Sequence, residues 1–158
     1  MHFKPWHWQQ ICIHAELVYP EECCGLLLGQ RDTMGNPQLE VVWPTHNTWD
    51  NVQQVDLAAI AGEERTGARS RNFAIAPVDL LQAQRIARGQ SWDILGIYHS
   101  HPDYPAQPSD FDRAIAWEQY LYLIVSVRDG QIERGRMWQL DLTRTFQELD
   151  LNIIQSPT

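Results

Sequence analysis

The segment from Ile94 to Asp112 constrains the fold of this chain more than any other. Ile94 to Tyr98 is almost wholly apolar, as suits a strand covered on both faces. A Pro-rich loop, His99 to Pro108, leaves its tip and leads to Ser109, which has Asp112 three residues on. That spacing is a capping box, in which the serine caps a new helix and the acid reaches back to the serine's own amide. Strand, loop and helix start in this order specify a layered arrangement of sheet and helices. In such folds reactive groups gather beyond the carboxyl ends of the strands.

The rest of the chain is consistent with that arrangement. Pro5 and the apolar residues at 8, 11, 12, 15 and 18 predict an amphipathic helix over about residues 5 to 18, closed by Pro20. Gly25 to Gly29 and Leu39 to Trp43 read as strands joined by the turn-prone segment Asp32 to Pro37. Asn47 to Asn72 is polar without a lasting period and reads as a loop or flap, with one helical turn near Val55 to Ala61. Phe73 to Ala76 is expected as a short strand. Pro77, Leu80, Ala83, Ile86 and Ala87 then mark a second amphipathic helix ending at Gly89. A helix from Ser109 carries Phe111, Ala114, Ile115 and Trp117. Tyr120 to Val127 and Ile132 to Leu140 form a hairpin around Asp129-Gly130, and Phe146 to Ile154 is expected as one last edge strand. No repeat or linker divides residues 1–158, which read as a single domain of α/β (α+β) class.

Residues two apart in a strand share a face, so His99 and His101 aim two imidazoles at one point. A bare His-x-His recurs by chance, and helix capping alone accounts for Ser109 and Asp112. The same cap, however, sets the Asp112 carboxylate on the first turn of a helix, where it could be a third ligand facing the two histidines. Two imidazole nitrogens and a carboxylate oxygen form a zinc ligand set that leaves a fourth position for water, whose pKa falls to about 7 when it is bound. Such a site hydrolyses, and it needs a general base. Glu22 precedes the apolar strand at Gly25 and can stand at the rim of the sheet. Spacing alone ranks Glu21 equal to it, and both also fit a solvated acidic turn.

Composition narrows the classes of function. Acidic residues outnumber Lys and Arg by 20 to 12, a net charge of -8, with no dense basic run to neutralise a phosphate backbone, so nucleic acid is not an expected partner. No stretch approaches the roughly 20 apolar residues of a membrane span, and the N-terminus lacks a signal-peptide pattern. A cytoplasmic location is the default expectation. Cys12, Cys23 and Cys24 show no CxxC pattern and read as small buried hydrophobes in a reducing compartment. The sequence does not specify an oligomeric state.

The segments YPEECCGLLLG at 19–29 and LGIYHSHPDYPAQPSDFD at 95–112 resemble the JAMM (MPN+) metallopeptidases, in their compact prokaryotic standalone form. That family's pattern is a distant Glu, then His, Ser or Thr, His, seven residues, Ser, two residues and Asp. It is met here by Glu22, His99, Ser100, His101, Ser109 and Asp112. The family's Glu precedes a Cys-Gly pair by one residue, a register that selects Glu22 and leaves Glu21 as runner-up. The resemblance implies a JAMM fold, a curved mixed β-sheet flanked by helices and similar to cytidine deaminases. It also implies Zn2+ held by His99, His101 and Asp112, Glu22 as acid and base, and Ser109 steadying the tetrahedral intermediate. The deaminases' own H-x-E and P-C-x-x-C signature is missing, as is the H-E-x-x-H of zincins. The implied activity is hydrolysis of a peptide or isopeptide bond after the C-terminal Gly-Gly of a ubiquitin-like or sulfur-carrier protein. Its tail would be extended along a sheet edge, with Asn47 to Asn72 as one wall. The alternatives are a noncatalytic MPN-type binding scaffold, disfavoured by the complete ligand set, and a small-molecule zinc hydrolase. Among the other histidines, His2, His7 and His14 read as structural or surface residues, and His46 is a candidate fourth ligand or substrate contact. Trp43 and Trp49 can stack on a substrate, with at least one expected in the core.

Overall fold

The computed structural model describes residues 1–49 and 67–153. The helical turn expected at 55–61 lies outside them. Helix α1, Pro5–Val18, starts on a proline whose missing N–H is harmless in a first turn, and it buries His7, Ile11 and Ala15. Strand β1, His2–Phe3, precedes it, and β2, Cys24–Arg31, and β3, Pro37–Thr45, follow as a hairpin. Helix α2 spans Pro77–Gly89, and β4 spans Asp93–Pro102. Helix α3, Asp110–Ile115, then leads to β5, Leu121–Arg128, and β6, Gln131–Leu140, with β7, Phe146–Leu149, and β8, Asn152–Ile153, at the end.

All eight strands join one mixed sheet in the order β7-β6-β5-β4-β2-β3-β1-β8. β4 pairs parallel with β5, and β1 pairs parallel with β3 and β8, while the remaining pairs are antiparallel. β7 and β8 lie on opposite edges, yet residues 150–151 alone separate them. Three Cα steps reach at most about 11 Å, so the sheet curls until its edges nearly meet. Helix α1 lies inside the curl, touching β3 on one side and β5 and β6 on the other. Against it pack Leu27, Tyr98, Leu123, Val125 and Met137, all fully buried. Each such aliphatic side chain is worth about 1.5–3 kcal/mol in burial. The other face carries Leu26, Leu28 and Ile97 under Ala83 and Leu80 of α2.

Four expectations are corrected. β4 continues through His99 to Pro102, so the histidines stand within the strand and not in the loop beyond it, because β5 offers ladder partners as far as Val127. Phe73 to Ala76 joins no sheet; Ala74 instead gives its N–H to Asn47 Oδ1 and its carbonyl to the N–H of Thr48. The single edge strand expected at 146–154 divides into β7 and β8 on opposite edges. Trp117 lies past the end of α3 and is largely exposed.

Candidate metal centre

Alternation along β4 decides which side chains meet. Tyr98 points to the α1 side, where its hydroxyl lies 2.8 Å from His14 Nδ1, so His99 and His101 point to the opposite face. β2 runs antiparallel beside β4 with Cys24 opposite His99. One step on, the Ser100 N–H donates to the Cys23 carbonyl at 3.0 Å, and the Cys23 N–H donates to Ser100 Oγ at 2.8 Å. Glu22, two residues before β2, falls by alternation on the same face as Cys24 and the histidines, and its N–H donates to the Arg69 carbonyl at 2.8 Å.

The Nε2 atoms of His99 and His101 are 2.9 Å apart. Asp112 brings Oδ1 to 3.5 Å from His99 Nε2 and Oδ2 to 3.8 Å from His101 Nε2. One ligand atom from each residue lies within 4.8 Å of the others, and all three residues are buried. His101 donates its Nδ1–H to the Pro105 carbonyl at 2.7 Å, which leaves Nε2 with its lone pair. Burial lowers the pKa of both imidazoles, and on His101 the neighbouring His99 lowers it further, so both rings are neutral at neutral pH. Asp112 Oδ2 accepts the N–H and the hydroxyl of Ser109, each at 2.7 Å, while Oδ1 turns to His99. Neutral imidazole nitrogens and an anionic oxygen thus crowd one buried point, a donor set that fits a zinc ion. The His99 ring lies on Phe73 at 4.5 Å between centroids, and its buried Nδ1 has no partner among the described residues.

Two clefts meet at this point. Glu22, Tyr104, Ser109, Phe111 and Asp112, with residues from 67 to 72, line a polar cleft of about 320 Å³. Phe73, Ile97, Ile115, Trp117 and Tyr122 line an apolar one of about 450 Å³ that reaches His99 and Asp112. Glu22 is 2% exposed and accepts a hydrogen bond from the Tyr104 hydroxyl. Glu21 is half exposed and pairs with Arg69 at 3.7 Å, which separates two acids that spacing could not.

Glu22, His99, His101, Ser109 and Asp112 therefore come together, whereas His46 is exposed and lies outside the three-residue group. Trp49 is buried edge-on against Phe111, and Trp43 packs beneath α2. Burial pushes the Cys23 and Cys24 thiols up to about 12 and Cys12 up to about 11, which suits inert packing groups. Sequence reasoning missed Tyr104 and Phe73. Tyr104 carried a signal, as the single aromatic residue of the Pro-rich loop.

Residues 5–141 match the family described as prokaryotic homologs of the JAB domain. The chain belongs to that family. It is 28% identical over 135 residues to a desampylase of Haloferax volcanii, an alignment covering 85% of this chain and 79% of the relative. A protein from Desulfitobacterium hafniense solved in solution superposes with a TM-score of 0.73 at 27% identity, over 98% of this chain and 92% of its own. One from Salinibacter ruber gives 0.69 at 31% identity, over 100% and 95%. A JAB1/MPN domain protein from Archaeoglobus fulgidus, at 15% identity and a TM-score of 0.56 over 98% and 100% of the two chains, shares the fold. This JAB-family chain thus has the curled mixed sheet with flanking helices that its motifs imply.

Proposed function

We propose that this protein is a zinc-dependent hydrolase that cleaves a peptide or isopeptide bond after the C-terminal Gly-Gly of a ubiquitin-like or sulfur-carrier protein. The convergence of His99, His101 and Asp112 on one buried point, with Glu22 in the adjoining cleft, carries this reading. The desampylase relative supports hydrolysis of a ubiquitin-like modifier linkage. A cytoplasmic location accords with the three unpaired cysteines.

His99, His101 and Asp112 would hold the zinc, which when bound supplies a Lewis acid for the scissile carbonyl and acidifies a water. Glu22 takes the proton of the attacking water at its carboxylate, keeps it inside the cleft and returns it to the leaving amine. The Ser109 hydroxyl, which holds Asp112 Oδ2 at rest, turns to the carbonyl oxygen as negative charge develops there. A tail ending in two glycines brings its backbone close to the cluster because no Cβ intervenes.

Purified protein is expected to carry stoichiometric zinc and to cleave at least one member of a panel of Gly-Gly-linked carrier substrates. Glu22→Gln should lower cleavage by about a hundredfold or more while keeping the metal, and His101→Ala should lose the metal. A protein without zinc, or full cleavage by Glu22→Gln, would sink this mechanism, and binding of a carrier without cleavage would favour the scaffold instead.

A further inference from the structure

The loop after β4 is tied down residue by residue. The Asp103 N–H donates to the Val127 carbonyl at 2.7 Å, and the Asp103 carboxylate accepts from the Tyr19 hydroxyl at 2.8 Å and the Asp129 N–H at 3.0 Å. The Ser126 hydroxyl donates to the Tyr104 carbonyl at 2.8 Å, His101 Nδ1 to the Pro105 carbonyl at 2.7 Å, and Trp138 Nε1 to the Ala106 carbonyl at 3.2 Å. A backbone anchored at Asp103, Tyr104, Pro105 and Ala106 presents the Tyr104 side chain from a fixed base.

That side chain does two separate things. Its ring lies on the His101 imidazole, 4.0 Å between centroids at 21°, with the Arg71 guanidinium 5.4 Å from the ring centre. Its hydroxyl reaches across the cleft and donates to Glu22 Oε1. A ring needed for packing alone has no use for a hydroxyl aimed at a buried carboxylate. We propose that Tyr104 is a positioning residue: the hydroxyl sets the orientation of the Glu22 carboxylate, and the ring, with the Pro105 carbonyl, fixes the plane of His101. This rests on the function proposed above. Glutamate turns about several side-chain bonds, and a donor on a rigid loop selects the rotamer from which it exchanges protons. An imidazole clamped in plane keeps its Nε2 lone pair aimed at the cluster.

Substitution separates the two tasks. Tyr104→Phe keeps the ring and is expected to leave zinc affinity, measured by chelator competition, and KM unchanged while kcat falls about tenfold to a hundredfold, the loss of one hydrogen bond to a charged group. In the Glu22→Gln background the same change should add almost nothing, since both act through one carboxylate. Tyr104→Leu should in addition weaken zinc binding about tenfold, with Tyr104→Met as the second variant if Leu does not fold. Wild-type kcat in Tyr104→Phe, or an equal loss with and without Glu22, overturns the role of the hydroxyl. Unchanged zinc affinity without the ring overturns the clamp. A wild type that neither binds zinc nor cleaves overturns the proposed function and this assignment with it, whereas an active wild type beside an unimpaired Tyr104→Phe overturns the assignment alone.

Discussion

Ser109 shows how one side chain can satisfy two readings at once. Its Oγ accepts the Asp112 N–H at 3.1 Å, which caps α3, and donates to Asp112 Oδ2 at 2.7 Å, which aims the carboxylate. Capping the helix and aiming the carboxylate are thus one interaction and do not compete. Ser109→Ala is expected to lower stability by about 1 kcal/mol and to weaken zinc binding about tenfold, as losing an outer partner of a ligand does. Denaturant unfolding and chelator competition measure the two effects, and zinc affinity unmoved by the change would remove the part assigned to Ser109 in aiming Asp112. The spacing of Ser109 and Asp112 made this pair legible in the sequence because helix geometry is local. The contact of Tyr104 with Glu22 spans 82 residues and leaves no such trace.

At the scale of elements, close approach between strands seats the site. A Cβ at Gly25 would stand 2.6 Å from the Trp43 carbonyl oxygen and press on the Tyr98 ring. β2 can therefore lie between β3 and β4 in this register, with Cys24 opposite His99, only while position 25 has no side chain. Gly25→Ala is expected to cost about 1–3 kcal/mol and to lower cleavage with it, since Glu22 sits three residues away in the same strand approach. Urea unfolding checks the stability, and a midpoint equal to wild type would show that the strands yield. The helices α1 and α2 and the hairpin β5–β6 were legible because periodicity and turn chemistry act within short windows. The true end of β4 and the unpaired state of Phe73 to Ala76 were not, because each depends on which distant backbone offers hydrogen bonds.

Over the whole molecule, the curled sheet encloses α1 and with it two histidines. Burial lowers the pKa of His7 and His14, and on His14 the neighbouring His46 lowers it further. The unfolded chain, near the ordinary value of about 6.5, takes up protons that the fold resists. The stability these groups contribute is therefore full above about pH 6.5 and is lost as pH falls below it towards their folded values. Metal-free protein, whose His99 and His101 shift in the same direction, is expected to unfold at lower urea concentration at about pH 5.5 than at about pH 7.5; equal midpoints would refute this. The sequence by itself determined the helices α1 and α2, the hairpins and the family likeness, and it singled out His99, His101 and Asp112 as a candidate ligand set, since periodicity, alternation in a strand and a helix cap are short-range rules. Tertiary structure alone buried Glu22 while leaving Glu21 half exposed beside Arg69, brought Tyr104 onto both Glu22 and His101, and put β7 and β8 on opposite edges of one curled sheet. Burial and long-range pairing decide such matters, and neither is a property of any short stretch of chain.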